Sequence, residues 1–419
     1  MVSQGASLVT AMLVARLLGV EAFGQFVLVQ STSVMLQNLG GLGLGLATTR
    51  LVARLRGREP DRTGRVIGFS LLLSLASGSL LALLVLAAPL GVLRSVLATE
   101  GLAGTLRWVG VLALSEVLNR IQSDVLVGLE AFSTVAAVSL GRAALTMSLV
   151  ILGARAFGLA GAVTGLAAAS LLTCLLFQAG LRLACRRQAI GLTFQGVCSE
   201  YGVLRTSLFV TASSVALAIV TWGLNVGLAH QTQGVAELAV FNAADRWRTA
   251  ILFLPGLVAQ VSLPLFSHTH AQAGSSDCRR LLTGACSASL AVAAVPALAV
   301  AAFSGLLMSG YGDAFVQGKR VLILLAVTCV PASVSMVGAY GLWAAGKTAT
   351  MLAIDLARAS ITLLACLLQT TFGAYDVAIA TLLGYAVATP LIGLALWRTL
   401  GSKAAEERLG VAVAGAGLS

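Results

Sequence analysis

The sequence predicts an all-α integral membrane protein of about twelve transmembrane helices, arranged as two halves of six. Three observations predict it: an apolar composition, a series of bilayer-length apolar stretches, and an internal repeat displaced by about half the chain. Of 419 residues, 58% are hydrophobic and 10% charged, with mean hydropathy +0.95. A soluble chain carries about 25% Asp, Glu, Lys and Arg, and no soluble fold could hide this much apolar surface.

A bilayer core of about 30 Å needs roughly 20 apolar helical residues. On that rule the first six spans fall near 2–18, 24–46, 66–92, 106–128, 132–154 and 158–182. The second six fall near 206–229, 238–265, 281–308, 319–345, 348–371 and 376–398. The first span is barely long enough to cross, so an upstream start is left open; Met1-Val-Ser-Gln-Gly5 has no basic region or cleavage site of a signal peptide. Pro89, Pro255, Pro264, Pro296, Pro331 and Pro390 fall in or beside spans, which membrane helices tolerate when neighbours re-satisfy the backbone.

Charges between spans set the orientation. With both ends cytoplasmic, sixteen basic residues fall inside: Arg50, Arg54, Arg56, Arg58, Arg62, Arg65, Arg182, Arg186, Arg187, Arg205, Arg279, Arg280, Lys347, Arg398, Lys403 and Arg408. Six fall outside (Arg16, Arg94, Arg107, Arg155, Lys319, Arg320), and five of the 27 lie in or at the edge of spans: Arg120, Arg142, Arg246, Arg248 and Arg358. The excess inside predicts cytoplasmic termini. It also explains the net charge of +11 without nucleic acid, because the basic residues form short clusters between spans rather than one face.

The repeat shows in three places. Gly19-Val-Glu-Ala-Phe-Gly-Gln-Phe26 matches Gly234-Val-Ala-Glu-Leu-Ala-Val-Phe241, and Phe157-Gly158 matches Phe372-Gly373, both displaced by 215 residues. Arg142-Ala-Ala-Leu-Thr146 matches Arg358-Ala-Ser-Ile-Thr362, displaced by 216. Six spans per half is an even number, so the halves share an orientation. The expected division is an N-terminal bundle 1–183, a cytoplasmic connection 184–205, a C-terminal bundle 206–400 and a cytoplasmic tail 401–419.

Arg142 and Arg358 lie near mid-span, where a guanidinium costs roughly 2.5–3.5 kcal/mol even on lenient insertion scales. Arg142 is about ten residues into its span, so its Cα lies roughly 15 Å deep, where snorkelling is difficult. It has no carboxylate within one turn of its own helix and is the stronger anion-ligand candidate. Arg358 has Asp355 three residues before it, which can neutralise it. On the fourth span Glu116, Arg120 and Asp124 share a face at i,i+4 spacing, either a self-neutralised seam or a hydrated wall that carries a coupling proton or cation. At the start of the eighth, Asn242-Ala-Ala-Asp245-Arg246-Trp247-Arg248 places Asp245 and Arg248 one turn apart, either an interfacial anchor or a cavity-lining cluster. Pro255 and Pro264 then predict a bend.

Other patterns carry blander readings. Gly341-Leu-Trp-Ala-Ala-Gly346-Lys347-Thr348 fits the phosphate-loop pattern, but lies between two apolar spans with no strand, so a tight turn with a snorkelling Lys347 is expected. Gly40, Gly41, Gly43 and Gly45, like Gly161 and Gly165, point to close packing or a hinge. The seven cysteines form no CxxC pair, and His268 and His270, in an expected cytoplasmic loop, lack a carboxylate at ligand spacing, so neither a disulfide framework nor a metal site is expected.

Ala15-Arg16-Leu-Leu-Gly19-Val-Glu-Ala-Phe-Gly24, then Gly40 to Gly45 before Arg50, then Asn242-Ala-Ala-Asp245-Arg246 followed by Leu263-Pro264-Leu265, resemble the polysaccharide biosynthesis or oligosaccharide (O-antigen) flippase family. That family belongs to the multidrug/oligosaccharidyl-lipid/polysaccharide exporter superfamily. The resemblance implies two six-helix bundles around a central cavity in a bacterial inner membrane protein, moving an undecaprenyl-diphosphate-linked oligosaccharide by alternating access. It implies membrane lipids, and polysaccharide polymerase and chain-length proteins, as partners, and no cofactor. In related lipid II flippases, first-bundle Arg residues and an Asp-Arg pair on the eighth helix matter for transport; Arg16, Arg50 and the Asp245-Arg246 pair occupy similar positions here. On these grounds Arg142, Arg358, Arg120, Arg246, Arg16 and Arg50 are the expected substrate ligands. Glu116, Asp124, Asp245 and Asp355 are the expected ion-coupling or charge-balancing groups.

Three alternatives stay open. A multidrug antiporter expelling small cations shares the fold, but its cavity should hold more acid than base. A polytopic polymerase or ligase needs a sizeable extracytoplasmic loop, and the largest expected loops, 50–65 and 183–205, face the cytoplasm. A purely structural subunit gives no reason for two equivalent buried Arg.

Overall fold

The computed structural model describes residues 2–89, 91, 107–191, 202–272, 275–368 and 372–416. Twelve α-helices and one 3-10 helix are formed by the described residues. The N-terminal elements are α1 (Val2–Gly40), α2 (Leu44–Leu55), α3 (Pro60–Ala87), α4 (Trp108–Gly128), α5 (Phe132–Arg187) and α6 (Gly202–Ala229). The remainder are α7 (Gly234–Gln272), α8 (Ser275–Ala302), α9 (Ser304–Ser309), a 3-10 turn (Asp313–Gly318), α10 (Lys319–Ala344), α11 (Thr348–Leu367) and α12 (Ala374–Ala416).

Eight of the described helices have the length and apolarity to cross a membrane, making this a multi-pass integral membrane protein. Neither α4 nor α7 is among them, and these are the helices that carry Glu116, Arg120 and Asp124, and Asp245, Arg246 and Arg248. Two of the eight are interrupted: α1 leaves helical geometry at Gly19 (φ 80°) and α5 at Phe157 and Gly158 (φ 58°). Left-handed φ favours glycine because it lacks a Cβ. In α5 the break is a reversal. A Cβ on Gly153 would run into the Gly161 carbonyl and one on Gly165 into that of Leu149, whereas residues eight or sixteen apart on a straight helix lie about 12 or 24 Å apart. The expected spans 132–154 and 158–182 are therefore the two arms of one hairpin, and Gly161 and Gly165 are packing residues.

The repeat falls on the turns. Gly234 opens α7 after a turn closed by its N–H to the Gln231 carbonyl, as Gly19 breaks α1. Gly373 precedes α12 and donates its N–H to Asp376 Oδ2, as Gly158 breaks α5. Arg142 and Arg358 each lie ten residues beyond the first residue of their helix.

Packing is inside-out, as expected where lipid is the solvent. On α3 the buried positions include Ser70, Ser74, Gly78 and Ala82 at four-residue intervals, while Leu72, Leu75, Leu80, Leu83 and Leu84 face outward. Small residues let backbones approach closely, and the large apolar ones meet hydrocarbon.

The chain divides into two compact units, residues 1–240 and 241–419. In the first, α2, α3, α4 and both arms of α5 share a core that includes Val52, Ile67, Val125, Phe177 and Leu181. The seventh expected span, α6, packs on α1 and α2 in this unit, with Trp222 Nε1 donating to Thr32 Oγ1 at 3.0 Å. In the second unit, Leu342, Ile354 and Ile392 join α10, α11 and α12, while Ala259 and Phe266 of α7 pack with Val337 of α10.

Three expectations change. The second span ends at Gly40, and a turn through Leu42 (φ 44°) and Gly43 (φ 60°) starts the separate helix α2, so Arg50 and Arg54 are helical rather than in a loop. At 39 residues α7 is about 58 Å long, well beyond a 30 Å core; its end carries His268 and His270, expected in a loop. Helix α12 likewise continues past residue 400 to Ala416, so Lys403 and Arg408 are helical rather than in a tail. The phosphate-loop lookalike is the expected tight turn, with Gly346 at φ 73° and the Lys347 N–H bonded to the Leu342 carbonyl. Arg94, Cys198 and residues 192–201 of the 184–205 connection lie outside the described residues.

Candidate functional site

In the first unit, the charges expected along one face of α4 divide between two neighbours. Arg120 Nε donates to Asp124 Oδ2 at 3.0 Å, as the i,i+4 spacing predicts. Glu116 instead reaches across to α5. Arg142 Nη2 donates to both of its carboxylate oxygens, at 3.0 and 2.9 Å. Ser170 Oγ, on the second arm of α5, donates to Oε1 at 2.8 Å, and Gln37 Nε2 of α1 approaches Oε2 at 3.4 Å.

The carboxylate missing from Arg142's own helix is thus supplied 26 residues earlier by the adjacent one. The α5 reversal makes this arrangement possible, because it brings Arg142 and Ser170 to the same level against α4. Asn119 and Ser115 extend the network, both donating to Ser170 Oγ, at 3.1 and 2.9 Å. Exposure within the pair is unequal: 42% for the Arg142 side chain against 12% for Glu116. All the described bonds of Arg142 run through Nη2. A guanidinium has five N–H donors, so Nε and Nη1 retain three for another acceptor.

Asp124 is held from behind as well. A Cβ on Gly45 would strike its carboxylate, and Thr49 Oγ1 donates to its backbone carbonyl at 2.8 Å. Gly40 is similarly closed in by Val117 and Leu81, so two of the four clustered glycines are packing positions and Gly43 is the hinge. Arg16 on α1 and Arg50 on α2 are exposed.

The second unit repeats the theme with different geometry. Arg358 of α11 pairs with Asp355 one turn earlier, Nη2 to Oδ1 at 3.5 Å, the outer limit of a hydrogen bond. Its guanidinium also lies over the ring of Tyr385 on α12, 4.7 Å from the centroid, inside cation–π range. On α7, Arg248 Nε donates to Asp245 Oδ1. Asp245 is thus engaged by Arg248, and Nε of the adjacent Arg246 is shielded from solvent. Tyr385 and Cys329 lie within electrostatic range of the Arg248 guanidinium, and the Cys329 thiol approaches the Arg248 carbonyl at 3.9 Å.

Both mid-span arginines therefore carry a carboxylate partner, and neither is sealed by it: Arg358 keeps 21% exposure against 10% for Asp355. Sequence reasoning missed three contributors: Ser170, Tyr385, and the alignment of Glu116 with Arg142. Only the last left a signal, since a mid-span carboxylate needs a cation and the nearest along its own helix was already matched.

Above this cluster in the chain, Tyr311 joins α9 to the 3-10 turn, fully buried with its hydroxyl unpaired among the described residues. Burial pushes its phenol up to about 12. Within the described residues, no group of three metal-ligating side chains is found.

Solved structures with the same fold cover nearly the whole chain. A multidrug resistance MATE family transporter of the MOP superfamily, in an inward-facing conformation, aligns with TM-score 0.80 at 18% identity over 96% of this chain and 95% of that one. An outward-facing conformation of such a transporter gives 0.71 at 19% identity, covering 96% and 93%. A MOP superfamily transporter from Pyrococcus furiosus, described by the reversed polarity of its binding pocket, gives 0.71 at 19% over 95% and 92%. At these identities the likeness is one of fold. No curated protein matches the sequence. The polysaccharide biosynthesis protein family matches residues 1–270, well over half of the chain, and the protein belongs to that family, built on the fold seen in MOP superfamily transporters.

Proposed function

We propose that this protein moves an undecaprenyl-diphosphate-linked oligosaccharide across the bacterial inner membrane by alternating access, for surface polysaccharide assembly. In this reading α1 and α5 each contribute two spans and α4 and α7 one each, giving twelve with the other apolar helices. Both termini are cytoplasmic in this reading. Membrane lipids, and polymerase and chain-length proteins, are the expected partners.

The observation that carries the reading is the state of Arg142 and Arg358. Each lies ten residues into its helix, is held by a more buried carboxylate, and keeps donors that the carboxylate does not use. A diphosphate that leaves water needs fixed cations to replace its hydration, and a guanidinium offers the planar fork that phosphate oxygens match. The carboxylates orient the guanidinium groups and remove the cost of keeping bare charge in the membrane between substrates. The polysaccharide biosynthesis family match supports a role in that process.

Proteoliposomes carrying a fluorescent lipid-diphosphate oligosaccharide test this directly. The wild type should raise the rate of probe translocation, and Arg142→Ala and Arg358→Ala should lower it at unchanged protein content. Equal rates in both variants and wild type would remove the ligand role. The likeness to multidrug transporters supports a second reading, extrusion of organic cations. Transport of such cations by vesicles that leave the lipid probe untouched would favour it.

A further inference from the structure

We infer that the arginines gathered at one end of the first unit form a docking face for anionic phospholipid headgroups, with Arg58, Arg182, Arg186 and Arg187 as its contacts. The inference deepens the lipid partnership named above and takes from that reading only the orientation, which sets this end in the cytoplasmic leaflet.

The face is built by helix ends that meet at a single carbonyl. Arg56, at the close of α2, donates through Nη1 to the Leu129 carbonyl in the turn between α4 and α5 at 3.1 Å, and its Nη2 pairs with Glu130. Gln188, at the close of α5, donates through Nε2 to the same carbonyl at 2.8 Å. The chain then folds back over the start of α3. The Ile190 N–H bonds to the Cys185 carbonyl, Ile190 joins the core of the unit, and a Cβ on Gly64 would strike the Gly191 carbonyl. Arg58 and Arg187 stand two residues and one residue away from the side chains that share Leu129, so the ends of α2 and α5 hold their arginines at one level. Arg58, Arg182, Arg186 and Arg187 are exposed, and no ion pair among the described residues engages them.

What these arginines border identifies the partner. On α5, Leu175, Leu176 and Leu183 are exposed apolar side chains of the hydrocarbon-facing surface. Arg182 lies seven residues after Leu175 and Arg187 four after Leu183, the spacings of one helix face. The guanidinium groups therefore continue the lipid-facing stripe where it reaches the headgroups. An Arg there lays its aliphatic stem on acyl chains and its charge among phosphates. A soluble acidic partner would need a face clear of the bilayer.

Orientation alone does not require this much charge. Residues 50–65 and 182–187 hold nine arginines against two acids, Glu59 and Asp61. Their counterparts at the repeat offset of 215, residues 265–280 and 397–402, hold three arginines against one acid, Asp277. Both halves have the same orientation in the proposed reading, so the smaller count already meets what orientation asks of basic residues. The surplus suits an anionic leaflet, where each Arg near the surface strengthens attraction about fivefold.

Native mass spectrometry of the full chain, equilibrated in zwitterionic detergent with equal amounts of phosphatidylglycerol and phosphatidylcholine, counts the lipids retained. The wild type should favour phosphatidylglycerol by about tenfold or more, as a headgroup within reach of two arginines should. Raising the ionic strength from about 0.1 M to about 1 M shortens the screening length from about 10 Å to about 3 Å and should bring the ratio toward parity. Changing Arg58, Arg182, Arg186 and Arg187 together to Gln should remove most of the preference, whereas changing the same four to Lys, with melting unchanged, should keep most of it. Gln at Arg279, Arg280, Lys347 and Arg398 should leave it near the wild-type value. Equal retention of the two lipids by the wild type, or a preference that survives the four Gln changes in the first unit, would overturn the face. Release of phosphatidylglycerol by excess glycerol phosphate would also overturn it, since that outcome marks a site for a soluble anion. If the fourfold Gln variant does not fold, Arg186→Gln and Arg187→Gln singly should each lower the ratio severalfold, and wild-type ratios in both would overturn the face. The lipid-probe assay keeps the two claims apart. A chain that prefers phosphatidylglycerol but does not translocate the probe removes the transport reading alone, and one that translocates without the preference removes this face alone.

Discussion

Replacing Arg142 by Ala removes the guanidinium that holds Glu116, and the structure sets the size of the effect. Glu116 keeps Ser170 at 2.8 Å and a long contact to Gln37 at 3.4 Å, with its side chain 12% exposed. Stranding one member of a fully buried pair costs about 3–5 kcal/mol. With the Arg142 side chain 42% exposed, part of that interaction is screened, and the expected loss falls to about 1–2 kcal/mol. Glu116→Gln keeps a carbonyl oxygen for Ser170 and Arg142 and should cost about 1 kcal/mol. The double variant removes the stranded charge along with its partner, so it should cost less than the two single changes together, by about 1 kcal/mol. Thermal unfolding of the four purified proteins measures this, at on the order of 2–4 °C per kcal/mol. Additive losses would show that the two side chains do not hold each other, and the picture of Arg142 as an oriented cation would fall with them.

Other changes probe the frame around the site. Gly161→Ala places a methyl against the Gly153 carbonyl where the arms of α5 meet; it should destabilise by about 1–3 kcal/mol, and an unchanged melting temperature would refute the hairpin contact. Tyr311→Phe deletes a buried hydroxyl with no partner among the described residues and should raise stability by about 1 kcal/mol; a fall would reveal a partner for it. Because burial raises the Tyr311 phenol to about 12 from its ordinary 10, its contribution is present below pH 10 and lost as pH rises toward 12. The alkaline loss in the wild type should therefore exceed that in Tyr311→Phe, and identical pH profiles would count against it. Gly43→Val forces a β-branched residue into φ 60° at the turn before α2 and should lower protein yield in the membrane, read by quantitative immunoblot, whereas Gly5→Ala, with open space around it, should not.

The sequence carried the elements whose cause is local. Gly19 and Gly158 take a left-handed φ where α1 and α5 break, and Gly234 and Gly373, each 215 residues later, stand at the turns that open α7 and α12. Span lengths were legible because lipid imposes one length on every helix. What stayed hidden depended on neighbours. Glu116 has an equally spaced cation at Arg120 on its own helix, and only the reversal of α5 shows that Arg142 competes successfully for it. The second span ran on to residue 46 because Leu42, Leu44 and Leu46 are apolar; the left-handed turn at Leu42 and Gly43 interrupts a stretch that hydropathy alone joins. The extensions of α7 and α12 beyond bilayer length were invisible for the opposite reason, since polar helix outside the membrane has no hydropathy signature.

An arginine paired with a carboxylate in a membrane protein does not by itself indicate a ligand, because the same pair can serve packing alone. Exposure separates the two cases. In a pair retained only for packing, both members should be buried alike, since leaving the guanidinium open weakens the attraction that offsets the carboxylate's desolvation. Here the carboxylate is the deeper member at both repeat positions, 12% against 42% for Glu116 and Arg142, and 10% against 21% for Asp355 and Arg358. The Asp245–Arg248 pair lacks this asymmetry, at 26% and 21%. The two repeat positions therefore expose cations over buried anions. That arrangement keeps each pair electrically neutral while leaving its guanidinium the more accessible member, which is what the proposed ligand role calls for.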